Sequence, residues 1–190
     1  HRLIYEIISC PHPSIRETTM IDALPLHFRP LLPSDPPVIE EAFSRQGWKK
    51  PARQYEDYLA EQVTQERAVI VAVIDGDFTG YVTVLFASLY APFRERKIPE
   101  ISDLNVLKEY QGRGIGRALI AEAEKLIAQR SPTAGIGVGL LRDYGPAQQL
   151  YIKLGYLPDG LGATYRYEPM EYGSEIMADD DLVLWMTKKL

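Results

Sequence analysis

The residues predict a mixed α/β domain, and three stretches carry that reading. Glu100 to Arg117, EISDLNVLKEYQGRGIGR, reads as a strand, a short loop and the opening of a helix, with Gly112, Gly114 and Gly116 alternating where loop gives way to helix. AVIVAVI and FTGYVTVLF stand on either side of Asp75-Gly76-Asp77, two β-branched runs about a hairpin turn signal. From Gly116 onward Leu119, Ile120, Ala123, Leu126 and Ile127 recur with helical period opposite Glu122, Glu124 and Lys125, so one helix face packs on a sheet. With 190 residues the chain is one domain of ordinary size, long enough to bury a real core.

Residues 1–24 are expected to be an N-terminal arm or extension, because HRLIYEIISC starts like a strand but runs into Pro11 and Pro13. Residues 25–190 then form the single domain. LHFRPL alternates as a first strand, and Ser34 or Asp35 is placed to cap a helix through VIEEAF. A second helix is expected from Ala52 to about Arg67, with Tyr55, Tyr58, Leu59, Gln62 and Val63 on one stripe. The unbroken apolar run Ala68 to Ile74 implies burial on both faces, in the middle of the sheet. Between Ala87 and Pro99 the chain is polar, basic and bounded by proline, which reads as a surface loop.

After the long helix, AGIGVGLL puts Gly135, Gly137 and Gly139 on one face of a strand. Such a stripe weakens a strand, so a close neighbour is expected, either a helix or a cofactor arm. DYGPAQQLYIKLGY then reads as a helix with Pro146 in its first turn and Gly155 as its stop, burying Ala147, Leu150, Tyr151 and Leu154. The end of the chain reads as a strand, an acidic loop with Glu168, Glu171, Glu175 and Asp179 to Asp181, and a last strand LVLWM. The acidic run is an ordinary solvated face that could also attract a cationic substrate.

The glycine loop is a phosphate site in outline, since a helix start offers unpaired N–H groups and glycines allow close approach. It is neither the dinucleotide fingerprint, because Arg117 stands where the third glycine belongs, nor the nucleotide P-loop, because it ends Gly116-Arg117-Ala118. Q-x-x-G-x-G does fit, through Gln111, Gly114 and Gly116, and this resembles the acetyl-CoA loop of the GNAT superfamily of N-acetyltransferases. Ala147, Leu150, Tyr151, Lys153, Gly155 and Tyr156 match a second signature of that family, A-x-x-L-Y-x-K-x-G-[FY]. One departure stands out: Tyr144 occupies the position where the family often has Asn.

The resemblance covers roughly residues 25–190. It implies a twisted, mostly antiparallel sheet of about seven strands, splayed at the cofactor site and flanked by about four helices. It implies transfer of an acetyl group from acetyl-CoA, as co-substrate, to a primary amine by direct attack in a ternary complex, with a small-molecule amine as the expected acceptor. The cofactor positions it implies are Leu104, Asn105, Val106, Gln111, Gly112, Arg113, Gly114, Ile115, Gly116, Arg117, Tyr144 and Ala147, with the Val106 N–H near the acetyl carbonyl. Glu100 is the candidate base, directly or through a water, and Tyr151 the candidate acid for the leaving thiolate. Asp103 falls on the other strand face by parity. Trp48, Tyr55 and Tyr58 are either acceptor-pocket residues or a packed core face. Two other classes fit the same loop, a non-catalytic acyl-CoA sensor and an assembly protein in which the loop only caps a helix. A protein or peptide N-acetyltransferase is the alternative acceptor class.

Composition narrows the partners. A formal net charge of −5 lacks the basic footprint of a nucleic-acid binder. The longest apolar run is far short of a membrane span. Cys10 is the lone cysteine, so no internal disulfide forms and a reducing, cytoplasmic setting is expected. His1, His12 and His27 show no ligand spacing, so no metal is expected. A homodimer is compatible with the family.

Overall fold

The computed structural model describes residues 25–190; the expected N-terminal arm and Cys10 lie outside the described residues. In chain order the elements are β1 (Leu26–Pro30), α1 (Asp35–Arg45), α2 (Ala52–Val63), β2 (Arg67–Ile74), β3 (Asp77–Leu85), α3 (Ala91–Glu95), β4 (Glu100–Val106), α4 (Ile115–Ala128), β5 (Thr133–Gly139), α5 (Gly145–Lys153), β6 (Leu157–Tyr165), β7 (Glu168–Pro169) and β8 (Leu182–Lys189). The strands form one sheet in the order β1-β2-β3-β4-β5-β8-β6-β7. Relative to the sequence reading, the additions are the two-residue β7 and the five-residue α3.

Both faces of the first half of the sheet are covered, as the apolar run in β2 requires. Val69, Val71 and Tyr81 pack with Ile39, Phe43 and Tyr55 of α1 and α2. Ala72, Val82 and Val84 pack with Leu119, Ile120, Ala123 and Ile127 of α4 on the other face. Those α4 side chains are fully buried, and each large aliphatic contributes about 1.5–3 kcal/mol by leaving water. The β2–β3 hairpin turns through Asp75 and Gly76, both at positive φ, as the Asp-Gly signal predicts. No helix among the described residues is long and apolar enough to cross a membrane.

Three local expectations are corrected and a fourth is made specific. The second helix stops at Val63, which is exposed, and Arg67 instead opens β2, where it bonds Thr83 and Glu61. Ser34 makes no side-chain cap, and Asp35 takes a different role, accepting from the Leu32 N–H and pairing with Arg29. The segment between Ala87 and Pro99 is not simply surface loop, because Tyr90, Phe93 and Ile98 bury themselves against Trp185. The glycine stripe of β5 meets a helix at Gly135, through Phe93 of α3, while Gly137 and Gly139 line a cavity. A Cβ at Gly135 would strike Phe93, at Gly137 Trp185, and at Gly139 Tyr144, so aromatic rings fill the room that the missing side chains leave.

Candidate active site

Every neighbouring pair in the sheet is antiparallel except β4 and β5, which are parallel and share only two register pairs, Glu100 with Gly135 and Ile101 with Ile136. Beyond Ile101 the two strands part. A cavity of about 310 Å³ occupies the opening, walled by Leu104 and Asn105 on one strand and Gly137 to Gly139 on the other. The Leu107 N–H donates to the Thr79 carbonyl at 2.9 Å, so antiparallel alternation turns the Val106 N–H away from β3, on the side of the opening. The Val106 carbonyl accepts from Gln111 Nε2 at 3.0 Å, tying the glycine loop to the end of β4.

Gln111 to Gly114 are exposed, and Gly112 and Gly114 sit at φ 74° and 83°, a region that side chains disfavour. Gly114 is the N-cap of α4 and supplies no side-chain cap, so the first-turn N–H groups of the helix point outward without one. A Cβ at Gly112 or Gly114 would meet nothing within 4 Å, which leaves a cradle free for a ligand. At Gly116 the same atom would touch Leu150, Val106 and Leu104 at 3.8 to 4.0 Å, so the loop ends beside the opened strands. Arg113 lies over the Tyr110 ring, Arg117 is exposed, and Ile115 is buried under α4. Ala147 packs half-buried on the α4 side and does not line the cavity, whereas Tyr144 does.

Glu100 is 6% exposed yet lines the cavity. Ser88 Oγ donates to its Oε2 at 2.5 Å. Burial pushes the Glu100 carboxyl above its ordinary range, and the Ser88 hydrogen bond and the Arg67 charge pull partly back. Asp103 stands in the same cavity, which corrects the parity argument. Between the pairs Thr83–Ser102 and Tyr81–Asn105, two residues of β4 oppose one of β3, and Asp103 takes φ 47°. This bulge shifts the alternation by one residue. Gly80 makes room for it, since a Cβ there would lie 2.5 Å from the Asn105 carbonyl oxygen.

Asp103 is fully engaged. Lys50 Nζ and Asn105 Nδ2 donate to Oδ1 at 2.9 and 2.7 Å, and Tyr81 Oη, Gln54 Nε2 and Tyr58 Oη donate to Oδ2 at 2.5, 2.8 and 2.9 Å. Burial alone would raise its pKa, but the Lys50 charge and these hydrogen bonds outweigh it and hold the carboxyl below the usual range. The same burial and the Asp103 charge push Tyr81 and Tyr58 up. Tyr58 reaches Asp103 directly and Tyr55, fully buried, joins the network through Tyr81, donating from its Oη to Tyr81 Oη at 3.3 Å, whereas Trp48 stacks on Phe43 outside it.

Across the cavity, Tyr151 is 6% exposed and its hydroxyl has no hydrogen-bond partner among the described residues. Burial, reinforced by Tyr144, pushes it up to about 12. Tyr144 also rises to about 12, through burial and then the Asp180 carboxylate. Sequence reasoning missed Lys50, Arg166, Tyr167 and Trp185 in this wall. Arg166 and Tyr167 form the two-residue turn between β6 and β7 at φ 50° and 69°, where Asn or Gly is the usual signal, so nothing in the sequence marked it. Arg166 pairs with Asp181 at 3.3 Å, and Tyr167 stacks on Trp185.

Residues 65–158 match the model of the acetyltransferase (GNAT) domain family. An uncharacterized N-acetyltransferase of Archaeoglobus fulgidus is 31% identical over 80 residues, 42% of this chain and 54% of the relative, so the chain spans about half the length of that curated relative. The ribosomal-protein-alanine N-acetyltransferase of Brucella melitensis has a similar fold, with a TM-score of 0.63 and 20% identity over 86% of this chain and 99% of its own. The PaiA N-acetyltransferase of Thermoplasma acidophilum, solved with coenzyme A, aligns with a TM-score of 0.61 and 14% identity over 87% of this chain and 99% of its own. The matched residues 65–158 form a GNAT acetyltransferase domain, and the parted parallel strands and the glycine loop at a helix start lie within it.

Proposed function

We propose that the chain is an N-acetyltransferase acting on a primary amine, a small molecule rather than a protein, by direct attack within a ternary complex. The observation that carries this reading is one cavity flanked by a buried carboxyl of raised pKa, Glu100, and a buried tyrosine with an unengaged hydroxyl, Tyr151. Bound acetyl-CoA would supply an activated acetyl thioester. The residues that would hold it are Gln111 through Gly116 for the pyrophosphate, by the N–H groups from Gly112 onward because the Gln111 N–H donates to the Lys108 carbonyl, with Arg113 and Arg117 adding positive charge, and β4 from Leu104 to Val106 for the pantetheine arm. Tyr144 and Ala147 stand beside that path on the α5 side.

An amine arrives as its ammonium at neutral pH and must lose a proton before it can attack. Glu100, its carboxyl pushed up by burial and partly pulled back by Ser88, is the group that would accept it, directly or through a water. Tyr151 is placed to return a proton to the departing thiolate. The cavity holds about 310 Å³ and the Arg166-Tyr167 turn forms part of its wall, a size that suits a small acceptor. The peptide reading stays in view because a structural neighbour is named for acting on a ribosomal-protein alanine. The test is an acetyl-transfer screen with acetyl-CoA against a mixed library of small amines and peptide N-termini, read by released thiol. Turnover confined to small amines is expected. Turnover on peptides alone would move the acceptor class, and CoA binding without turnover on any amine would make the chain an acyl-CoA sensor.

A further inference from the structure

We propose that Ser88 is a positioning residue for this reaction, holding the Glu100 carboxylate from outside the cavity in the orientation and ionised form that acceptor deprotonation requires. The inference rests on reading Glu100 as the base. Ser88 lies in the segment between β3 and α3, is 1% exposed and does not line the cavity, whereas the Glu100 it grips does. A serine hydroxyl has one proton and two lone pairs. The Tyr90 N–H donates to Ser88 Oγ at 3.0 Å, so the single proton is directed to Glu100 Oε2, 2.5 Å away.

The clamp is itself held. The Tyr90 ring stacks on Trp185 with centroids 4.3 Å apart and planes 5° from parallel, and Tyr90 Oη donates to Asp159 at 2.9 Å. Arg94 Nη1 donates to the Ser88 carbonyl at 3.3 Å. Ser88 therefore sits in an anchored segment, and turning its hydroxyl away from Glu100 would also forfeit the bond from the Tyr90 N–H. The surface-like sequence between β3 and β4 conceals this role.

Several other groups face Glu100. Arg67 of β2 favours its charge and is itself paired with Glu61; Ser102 stands two residues along β4; Tyr167 reaches over from the β6–β7 turn. Burial opposes ionisation, and a hydroxyl that donates to the carboxylate favours it. Without Ser88 the proton on Glu100 should be held to higher pH, so less of the ionised base should be present at a given pH.

The experiment uses the full chain with glutamate labelled at the side-chain carboxyl carbon, followed by NMR during a pH titration and by the pH profile of kcat/KM. Glu100→Gln identifies the resonance. Ser88→Ala is expected to move the Glu100 midpoint and the acidic limb upward together by about one pH unit, a tenfold change in ionised fraction, with KM for acetyl-CoA unchanged. Ser88→Cys keeps the shape and a weak donor, so an intermediate shift is expected; it carries the test if the alanine variant does not fold. A Glu100 midpoint that stays at its wild-type value in Ser88→Ala, or in Ser88→Cys where that variant carries the test, overturns the inference about Ser88. A midpoint that moves while the rate profile stays fixed leaves the contact standing, but overturns Glu100 as base and with it the catalytic role of Ser88.

Discussion

At the α4 end of the opened strands the proposed binding surface is backbone: the N–H groups of Gly112 to Gly116 and the Val106 amide turned away from β3. At the other end it is side chain. Glu100 and Asp103 of β4, Lys50 from the α1–α2 link, Tyr151 of α5, Tyr167 from a turn and Trp185 of β8 converge on one cavity. A backbone site needs contiguous residues with particular φ values and empty space, so it leaves a local motif. A side-chain site needs distant elements to meet, and its residues carry no fixed spacing. The two ends should therefore respond to different substitutions.

The largest expected effect is at the side-chain end. Glu100→Gln keeps the shape and removes the proposed base, and turnover near neutral pH should fall by about 10²–10⁴-fold. The Glu100 carboxyl is raised by burial, so the wild-type rate should decline as pH falls through that raised value. The variant should lose that limb and recover at high pH as free amine accumulates. A stopped pH series of initial rates checks both, and an unaltered profile would return Glu100 to a structural role.

Tyr151→Phe comes next, with kcat lowered by about 10²-fold and KM little changed, as for an interaction made in the transition state. Full turnover in that variant would point instead to Tyr144, which shares the cavity and the raised pKa of about 12.

The backbone end should respond in binding. Gly114→Val meets no neighbour in the fold but forces a β-branched residue to φ 83° and puts methyl groups into the cradle. Affinity for CoA should drop by roughly tenfold or more, from strain of about 1–3 kcal/mol and lost room. The unfolding midpoint should fall only modestly.

Asp103→Asn is the smallest effect on chemistry, expected to appear mainly as stability. Removing one partner of a buried pair costs about 3–5 kcal/mol, and the 17–22% exposure of the Asp103 and Lys50 side chains reduces this to about 2–3. Because the folded pKa is depressed, Asp103 contributes its full share above the unfolded carboxylate value. That share is lost as pH falls through the lower folded value. Denaturant unfolding at pH 7 and at pH 3 should therefore show a smaller gap between wild type and variant in acid.

The same contrast explains what the sequence made legible. The strand, loop and helix around Gly114, the Asp75-Gly76 hairpin and the stripe ending at Gly155 could be read because each is set by residues close in sequence. Glu100 and Tyr151 came from the matching family positions, and the structure brings them to one cavity. Asp103 was misplaced because a single extra residue in β4 inverts every later side chain, and no residue type announces that bulge. The β5 glycines were correctly read as a sign of close approach. Their neighbours Phe93, Trp185 and Tyr144 come from three separate elements, which only the fold brings together. Ser88 was hidden in the same way, inside a segment whose charge and prolines resemble a surface loop.

The central claim is that the two ends of this opening are separable, one holding the cofactor through backbone and the other doing proton chemistry through side chains. Calorimetric titration of CoA into wild type, Glu100→Gln and Gly114→Val tests it most directly. The account expects Glu100→Gln to bind CoA as wild type does while its turnover collapses, and Gly114→Val to bind CoA roughly tenfold or more weakly while its fold persists. Unchanged CoA affinity in Gly114→Val would contradict the account.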